Sequence, residues 1–423
     1  MTTSIPGELL LRVGEALLCA MVVSFLMSPL VKSFAYKIGA IDVPKDNRRM
    51  HKKPTPRLGG LAIFLGFMFS ILIFVSIDRQ LRGILLGAVI IVVLGVVDDI
   101  TPLRAGFKFL VQIVAALVAV YHGVLVEILS NPNVFSSEPY WYLGWASIPI
   151  TVLWIVGITN SVNLIDGLDG LANGVSTISA ITMLVIALLV SEGQTALIMA
   201  ALVGACLGFM PFNKNPAQMF MGDTGSTFLG YVLATVSIQG LFKYYAIISF
   251  AVPFLILGLP MFDTLFAIVR RLAHGQNPMS PDRGHIHHRL IDMGLNQKQA
   301  VAALYVVSSI LGLSAVVLTT GGAMRAMIFL FAVAVVGFLA ARVIFPREIA
   351  ETKQEKENSA AAEQKSAQTD VTDEIELHPA VSAEGYEIDL HPAVDADKLE
   401  EQRRESEKAE KAEKAEKAEE SNE

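Results

Sequence analysis

The chain has 423 residues, 53% of them hydrophobic, and a formal net charge of −7. Its mean hydropathy of +0.53 is more apolar surface than a soluble core hides, so an ordinary soluble domain is excluded and a membrane protein is expected. The charge is uneven: from Arg347 onward 24 Asp and Glu face 11 Lys and Arg, a net of −13, which leaves +6 on the rest. A basic body suits a protein that handles phosphates or sits on anionic lipid.

Apolar runs lie near 9–34, 58–77, 81–97, 107–129, 143–160, 174–191, 195–212, 226–241, 244–270, 299–320 and 323–345. A membrane-crossing helix needs roughly 17–25 such residues. Continuous apolarity without short alternating segments predicts helices and not a barrel. The expected fold class is all-α, a polytopic membrane bundle of about eleven transmembrane helices. The first run lacks a convincing cleavage site and reads as a span, not a signal peptide. Cys19 and Cys206 stand in apolar runs far apart in sequence and read as inert small hydrophobes.

Basic residues predict orientation. The first loop holds Lys37, Lys45, Arg48, Arg49, Lys52, Lys53 and Arg57, and the ninth holds Arg270, Arg271, Arg283, Arg289 and Lys298. The even-numbered loops are poor in Lys and Arg; the fourth, around "SNPNVFSSEPYWY", has none. The odd loops and the C-terminus are therefore expected in the cytoplasm and the N-terminus outside. Two domains follow: a membrane-embedded body, 1–345, and a charged cytoplasmic tail, 346–423. In the tail "EIELHPAV" nearly repeats as "EIDLHPAV", ahead of an "EKAEKAEKAEKAEE" run. Pairs such as Glu410 and Lys414 support a solvated helix, and disorder is the plainer reading.

Ten aspartates of the body gather on one predicted side. Asp42, Asp46, Asp98, Asp99, Asp166, Asp169, Asp223, Asp263, Asp282 and Asp292 all lie in or near odd loops. Their short stems fix the carboxylate position, which suits a divalent-metal site with oxygen ligands. In "GVVDDITPL" Asp98 and Asp99 are adjacent at a helix end, where negative charge is unfavourable unless a cation is near. In "NSVNLIDGLDGLANG" Asp166 and Asp169 would share a face if the turn is helical. Asn160 and Asn163 add oxygens there, and Gly167 and Gly170 allow close approach of backbone to ligand.

In "FMGDTGS" amides at a helix start suit a phosphate while Asp223 holds a metal; Asp223 reads equally as an N-cap. Phe220 reads as packing, or as a stacking surface for a base. Asp263 sits inside an apolar run, where an ionisable group is costly, with a local arginine salt bridge as the plain alternative. In "PDRGHIHHRL" His285, His287 and His288 with Arg283 do not form one helix face. They read as a loop gathered on an anion, and the spacing is no familiar zinc pattern.

Together "VDDI", "NLIDGLDGLA", "FMGDTGS" and "PDRGHIHHRL" resemble the polyprenyl-phosphate N-acetylhexosamine-1-phosphate transferases, over roughly residues 10–345. The resemblance implies transfer of a sugar 1-phosphate from a UDP-sugar to a polyprenyl phosphate, releasing UMP, with Mg²⁺ (Mn²⁺ as an alternative). Ile286 interrupts the histidines, a pattern similar to the branch that uses UDP-N-acetylglucosamine and undecaprenyl phosphate. Three consecutive histidines mark the phospho-N-acetylmuramoyl-pentapeptide branch, which stands as the alternative.

By this resemblance Asp223 is a Mg²⁺ ligand, and Asp98 and Asp99 are the acidic pair, one of which helps activate the lipid phosphate. Asn163, Asp166 and Asp169 line the nucleotide-sugar site with Phe220 near the uracil. His285, His287 and His288 contact the phosphates or sugar, His287 and His288 as catalytic groups. Lys53 and Arg283 bind substrate. The expected place is a bacterial cell membrane with the site facing the cytoplasm. The expected partners are the two substrates and membrane lipid, with no nucleic acid; a homodimer and a tail that docks wall-assembly proteins are compatible. A nucleotide-sugar transporter is the rival from another class, though transporters place ionisable groups near the midplane.

Overall fold

The computed structural model describes residues 6–43, 54–130, 140–240, 251–275 and 284–344. They form α1 (Gly7–Ile38), β1 (Ile41–Asp42), β2 (Thr55–Pro56), α2 (Gly60–Phe74), α3 (Arg79–Ile100), α4 (Ala105–Tyr121), β3 (Ile128–Ser130) and β4 (Tyr140–Tyr142). Then come α5 (Ser147–Leu164), α6 (Leu171–Leu189), α7 (Gly193–Asn213), α8 (Gly222–Gly240), α9 (Ala251–Ile256), α10 (Gly258–Ala273), α11 (Ile286–Asp292) and α12 (Gln297–Ile344), which breaks at Gly322. Among the described residues six helices are long and apolar enough to cross a membrane: Gly7–Ile38, Arg79–Ile100, Gly144–Leu164, Leu171–Leu189, Gly193–Asn213 and Gln297–Gly322. The chain is a multi-pass helical membrane protein.

Local chemistry sets the helix ends. α1 starts after Pro6 and stops at Gly39, whose left-handed φ of 77° lets its N–H reach Ala35 O. Asp78 caps α3, accepting from Leu81 N at 2.7 Å. α7 lies on α1 through Gly204 and Gly208, where a side chain would run into the carbonyls of Leu17 and Met21.

α8 is the central helix, packed by α2, α3, α5, α6 and α7. From Gly222 to Gly240 every residue except Asp223 is buried. Phe228 meets Phe64 and Phe67 edge-on at 5.5 Å.

The structure corrects several expectations. The apolar run at 244–270 is not one helix in its described part: α9 ends at Ile256 and α10 begins at Gly258, with Pro260 in its first turn. Proline cannot donate to the preceding turn and sits well only at a helix start, so the chain is re-initiated there. The run at 107–129 ends its helix at Tyr121 because Gly123 adopts φ 95°. Ile128–Ser130 then pairs antiparallel with Tyr140–Tyr142, and Ile41–Asp42 with Thr55–Pro56, so the architecture is helical with two short β ribbons. Both cysteines are free. The tail beyond 344 lies outside the described residues.

Candidate active site

α3 and α5 end, and α4, α6 and α8 begin, at one end of the bundle. That places the sequence motifs together. Asp98 and Asp99 occupy the last turn of α3, where their mutual repulsion is met by two cations from elsewhere. Lys108 Nζ lies 3.1 Å from Asp98 Oδ2 and 2.9 Å from Asp223 Oδ2. Arg57 Nε lies 3.2 Å from Asp99 Oδ1, and its Nη2 is 3.9 Å from Asp223 Oδ1. Asp98 Oδ1 also accepts from Leu103 N at 2.8 Å, which fixes the turn into α4.

Asp99 differs from its neighbour. Its side chain is fully buried, and it accepts from Asp223 N and Thr224 N at 3.0 Å each and from Thr224 Oγ1 at 2.6 Å. It caps the N-terminus of α8 from another helix, where a negative charge is favoured. Gly222, at φ 71°, is required: a Cβ there would strike the Asp99 carboxylate. The N-cap function that the sequence allowed for Asp223 therefore falls to Asp99, and Asp223 is left partly exposed between Lys108 and Arg57.

The turn at 165–170 links this cluster to a second one. Asn163, in the last turn of α5, donates to Ser226 Oγ at 2.8 Å. Asp166 is half-buried; withdrawal from water, then repulsion by Asp223 and Asp99, pushes its pKa up to about 8. The turn is not helical, so Asp166 and Asp169 do not share a helix face as the spacing suggested. Asp169 instead accepts from Asn215 Nδ2 at 2.9 Å and Ala217 N at 3.0 Å, and Asn215 also donates to Gln297 Oε1 at 2.7 Å. Tyr305 Oη donates to Gly170 O at 2.5 Å. Phe220 is half-buried, its backbone paired with the 56–59 stretch through Pro56 O at 2.8 Å and Gly59 N at 2.9 Å.

The histidines form the second cluster, and they belong to a helix start and not to the loop expected. His285 is the N-cap residue of α11, and His287 and His288 lie in its first turn. Asp263 organises them: its Oδ2 lies 2.9 Å from His285 Nδ1 and its Oδ1 accepts from Ile286 N at 2.8 Å. Asp263 thus holds an imidazole and a backbone amide. His285 and His287 stack at 5.9 Å, and His287 and His288 are 4.3 Å apart. Burial and then the adjacent His288 hold the His287 pKa down at about 4, so this ring is neutral at pH 7 and contributes hydrogen bonds but no positive charge. His287 packs directly on Gly167, which has no side chain to keep it away.

Asp98, Asp99, Asp223, Asn163 and Asp166 are therefore gathered at one end of the bundle, and His285, His287 and His288 adjoin them through Gly167. Lys53 and Arg283 lie outside the described residues. Sequence reading missed Lys108, Tyr305 and Asn215. Lys108 had a signal: it is a lone lysine in an apolar run, where an ionisable group points to function. The fixed cations and carboxylates can hold an anion bridged by a hard cation. Among the described residues no three His, Cys, Asp or Glu side chains converge as a metal cage.

Fold and site define a helical membrane protein with a carboxylate–cation centre at its helix ends. The glycosyl transferase family 4 model matches residues 81–241, which contain most of that centre. The chain is 42% identical over 314 residues (74% of this chain, 86% of the relative) to a protein of Bacillus subtilis (strain 168), the probable undecaprenyl-phosphate N-acetylglucosaminyl 1-phosphate transferase. It is 33% identical over 331 residues (70% and 80%) to the decaprenyl-phosphate N-acetylglucosaminephosphotransferase of Mycolicibacterium smegmatis. A phospho-N-acetylmuramoyl-pentapeptide-transferase of Heliobacterium modesticaldum is 38% identical over 205 residues (46% and 63%). The chain belongs to glycosyl transferase family 4.

Proposed function

We propose that this protein transfers N-acetylglucosamine 1-phosphate from UDP-N-acetylglucosamine to undecaprenyl phosphate, giving undecaprenyl-diphospho-N-acetylglucosamine and UMP. The observation that carries the reading is Lys108 held between Asp98 and Asp223, with Arg57 on the far side of Asp223, at the start of the central helix. Two carboxylates with fixed cations suit a reaction between two phosphate-bearing anions. The similarity to the Bacillus protein supports the substrate pair, and Ile286 between His285 and His287 supports the N-acetylglucosamine branch over the muramoyl-pentapeptide branch.

Asp223 and Asp98 fit Mg²⁺ by donor chemistry, because Mg²⁺ typically takes one or two carboxylates plus substrate phosphates instead of an all-protein cage. The ion, Mg²⁺ or Mn²⁺, would supply charge neutralisation at the diphosphate. Lys108 and Arg57 orient the diphosphate and offset charge on departing UMP. Asp98 orients the lipid phosphate and accepts its remaining proton; that phosphate is mostly dianionic at pH 7, with a second pKa near 6, so the gain from a base is small. Asp99 acts through position, holding Asp223 and Thr224. Asn163 and Asp166, with Asp169 as the brace of their turn, form the nucleotide-sugar side together with Phe220. His285, His287 and His288 donate to phosphate or sugar oxygens, and Lys53 and Arg283 add cations.

The finer placement belongs to the same proposal: about eleven passages through a bacterial plasma membrane, N-terminus outside, C-terminus and site in the cytoplasm, at the first membrane step of teichoic acid or a related wall polymer. The test is purified protein with undecaprenyl phosphate, Mg²⁺ and a panel of UDP-sugars, scored by UMP release. UDP-N-acetylglucosamine should be turned over fastest; release that does not depend on the lipid phosphate refutes the proposal.

A further inference from the structure

The cleft behind the carboxylates continues into the bundle. It is lined by Leu94, Gly95, Asp98, Lys108, Gln112, Asn160, Asn163, Asp223 and Thr227, and only its deeper end concerns Gln112 and Asn160. Asn160 Nδ2 donates to Val156 O at 2.8 Å and to Gln112 Oε1 at 2.6 Å. The first bond decides the geometry of the pair. A backbone carbonyl can only accept, so the Asn160 atom facing it is the amide nitrogen. That nitrogen also faces Gln112, so the Gln112 atom it meets is the oxygen. The amide nitrogen of Gln112 is then the group left over, with two N–H donors.

Gln112 is only 3% exposed, and among the described residues no acceptor takes its Nε2. Gln112 lines the cleft, so these N–H donors are open to a bound ligand or to water. Around the cleft, Thr227 Oγ1 donates to Asp223 O at 2.6 Å, one Asn163 Nδ2 N–H to Ser226 Oγ at 2.8 Å, and two of the three Lys108 N–H donors to the carboxylates of Asp98 and Asp223, which leaves one on Lys108 for a ligand.

We propose that Gln112, oriented by Asn160, donates a hydrogen bond to a phosphate oxygen of the acceptor lipid at the membrane-side end of this cleft. The inference rests on the transferase reading above. A donor without a free acceptor selects an oxygen-rich anion. Depth selects which anion. Gln112 lies one turn beyond Lys108 along α4, about 6 Å further from the helix end, in a cleft that Leu94 and Gly95 also line. On the nucleotide side, Asp166 follows the end of α5, Phe220 precedes the start of α8, and His287 lies in the first turn of α11. A phosphate that enters from the bilayer reaches Gln112; the phosphates of the UDP-sugar meet Lys108 and Arg57 first.

The test compares Gln112→Glu and Gln112→Met in full-length protein, with KM measured separately for undecaprenyl phosphate and for UDP-N-acetylglucosamine. Gln112→Glu keeps an acceptor for Asn160 and turns the donor into an anion. Gln112→Met removes both polar atoms at similar volume and decides the matter if the glutamate variant does not insert. Each variant is first shown to match wild type in gel-filtration profile and melting temperature. The expected result is a rise of about tenfold or more in KM for the lipid, larger for Glu than for Met, with KM for the UDP-sugar within about twofold of wild type. Asn160→Ala should shift the lipid KM in the same direction. A selective rise in the UDP-sugar KM, or no change in either, overturns the assignment. Wild-type protein that ignores undecaprenyl phosphate would remove the transferase reading itself, whereas active wild type with kinetically normal Gln112 variants removes only this inference.

Discussion

The Asp99 carboxylate holds Thr224 through both the backbone N–H at 3.0 Å and the hydroxyl at 2.6 Å, across 125 positions of sequence. Its neighbour Asp98 instead shares Lys108 with Asp223. Two adjacent aspartates therefore have separable roles. Asp99→Ala takes from Arg57 its nearer carboxylate and from the start of α8 its cap, and should cost about 3–5 kcal/mol, seen as a lower melting temperature together with lost activity. Asp98→Ala removes one acceptor at a partly open site and should cost about 1 kcal/mol while activity falls as far. Thermal melting in detergent beside UMP release separates the two; equal melting temperatures would mean that Asp99 is no cap.

Lys108 and Asp223 should each be needed for turnover. Asp223→Asn is expected to lower kcat by about 100-fold or more, and Lys108→Met by a similar factor. Lys108→Arg should recover part, since the charge returns with a different shape. Chelation of divalent cations should stop turnover and added Mg²⁺ restore it. Steady-state kinetics on the three variants, with and without chelator, check this.

Asp166 carries a testable pH signature. Its folded pKa is pushed to about 8, above the ordinary value of about 4 for an unfolded aspartate. Between those values the folded protein binds a proton that the unfolded chain does not, so stability falls as pH rises through that window. Asp166→Asn should remove that slope, raising the melting temperature at pH 8 more than at pH 5 in metal-free protein, while activity drops. A slope unchanged by the substitution would show that Asp166 is not crowded by Asp99 and Asp223.

The nucleotide-side turn is braced from α12. Tyr305→Phe removes the donor to Gly170 O, worth about 1 kcal/mol, and frees the turn that carries Asp166. KM for the UDP-sugar should rise several-fold with a smaller effect on kcat. Asp169→Ala should act in the same sense, because Asp169 braces the turn through Asn215 and Ala217.

Much of this was legible in the sequence, and the reasons differ by feature. Apolar runs report helices directly, so α1, α3, α6 and α7 fall where expected. The aspartate motifs declared themselves because carboxylates beside apolar runs are expensive. What the sequence hid was pairing: nothing local to Asp99 says that it caps a helix beginning at Gly222, nor that Asp263 serves His285. Asp169 looked like a partner of Asp166 by spacing, and the non-helical turn sent it to Asn215. Gln112 is a neutral residue in an apolar helix and gave no signal, because its meaning lies in the orientation of Asn160. The break between α9 and α10 had a local cue in Pro260, outweighed by continuous apolarity.

The most direct test of the central claim follows the β-phosphorus of UDP-N-acetylglucosamine. With the β-phosphate labelled, full-length protein, Mg²⁺ and undecaprenyl phosphate should give label in the butanol-extractable lipid and unlabelled UMP, and Asp223→Asn should give neither. Label that stays with the nucleotide while sugar reaches the lipid would contradict phosphosugar transfer.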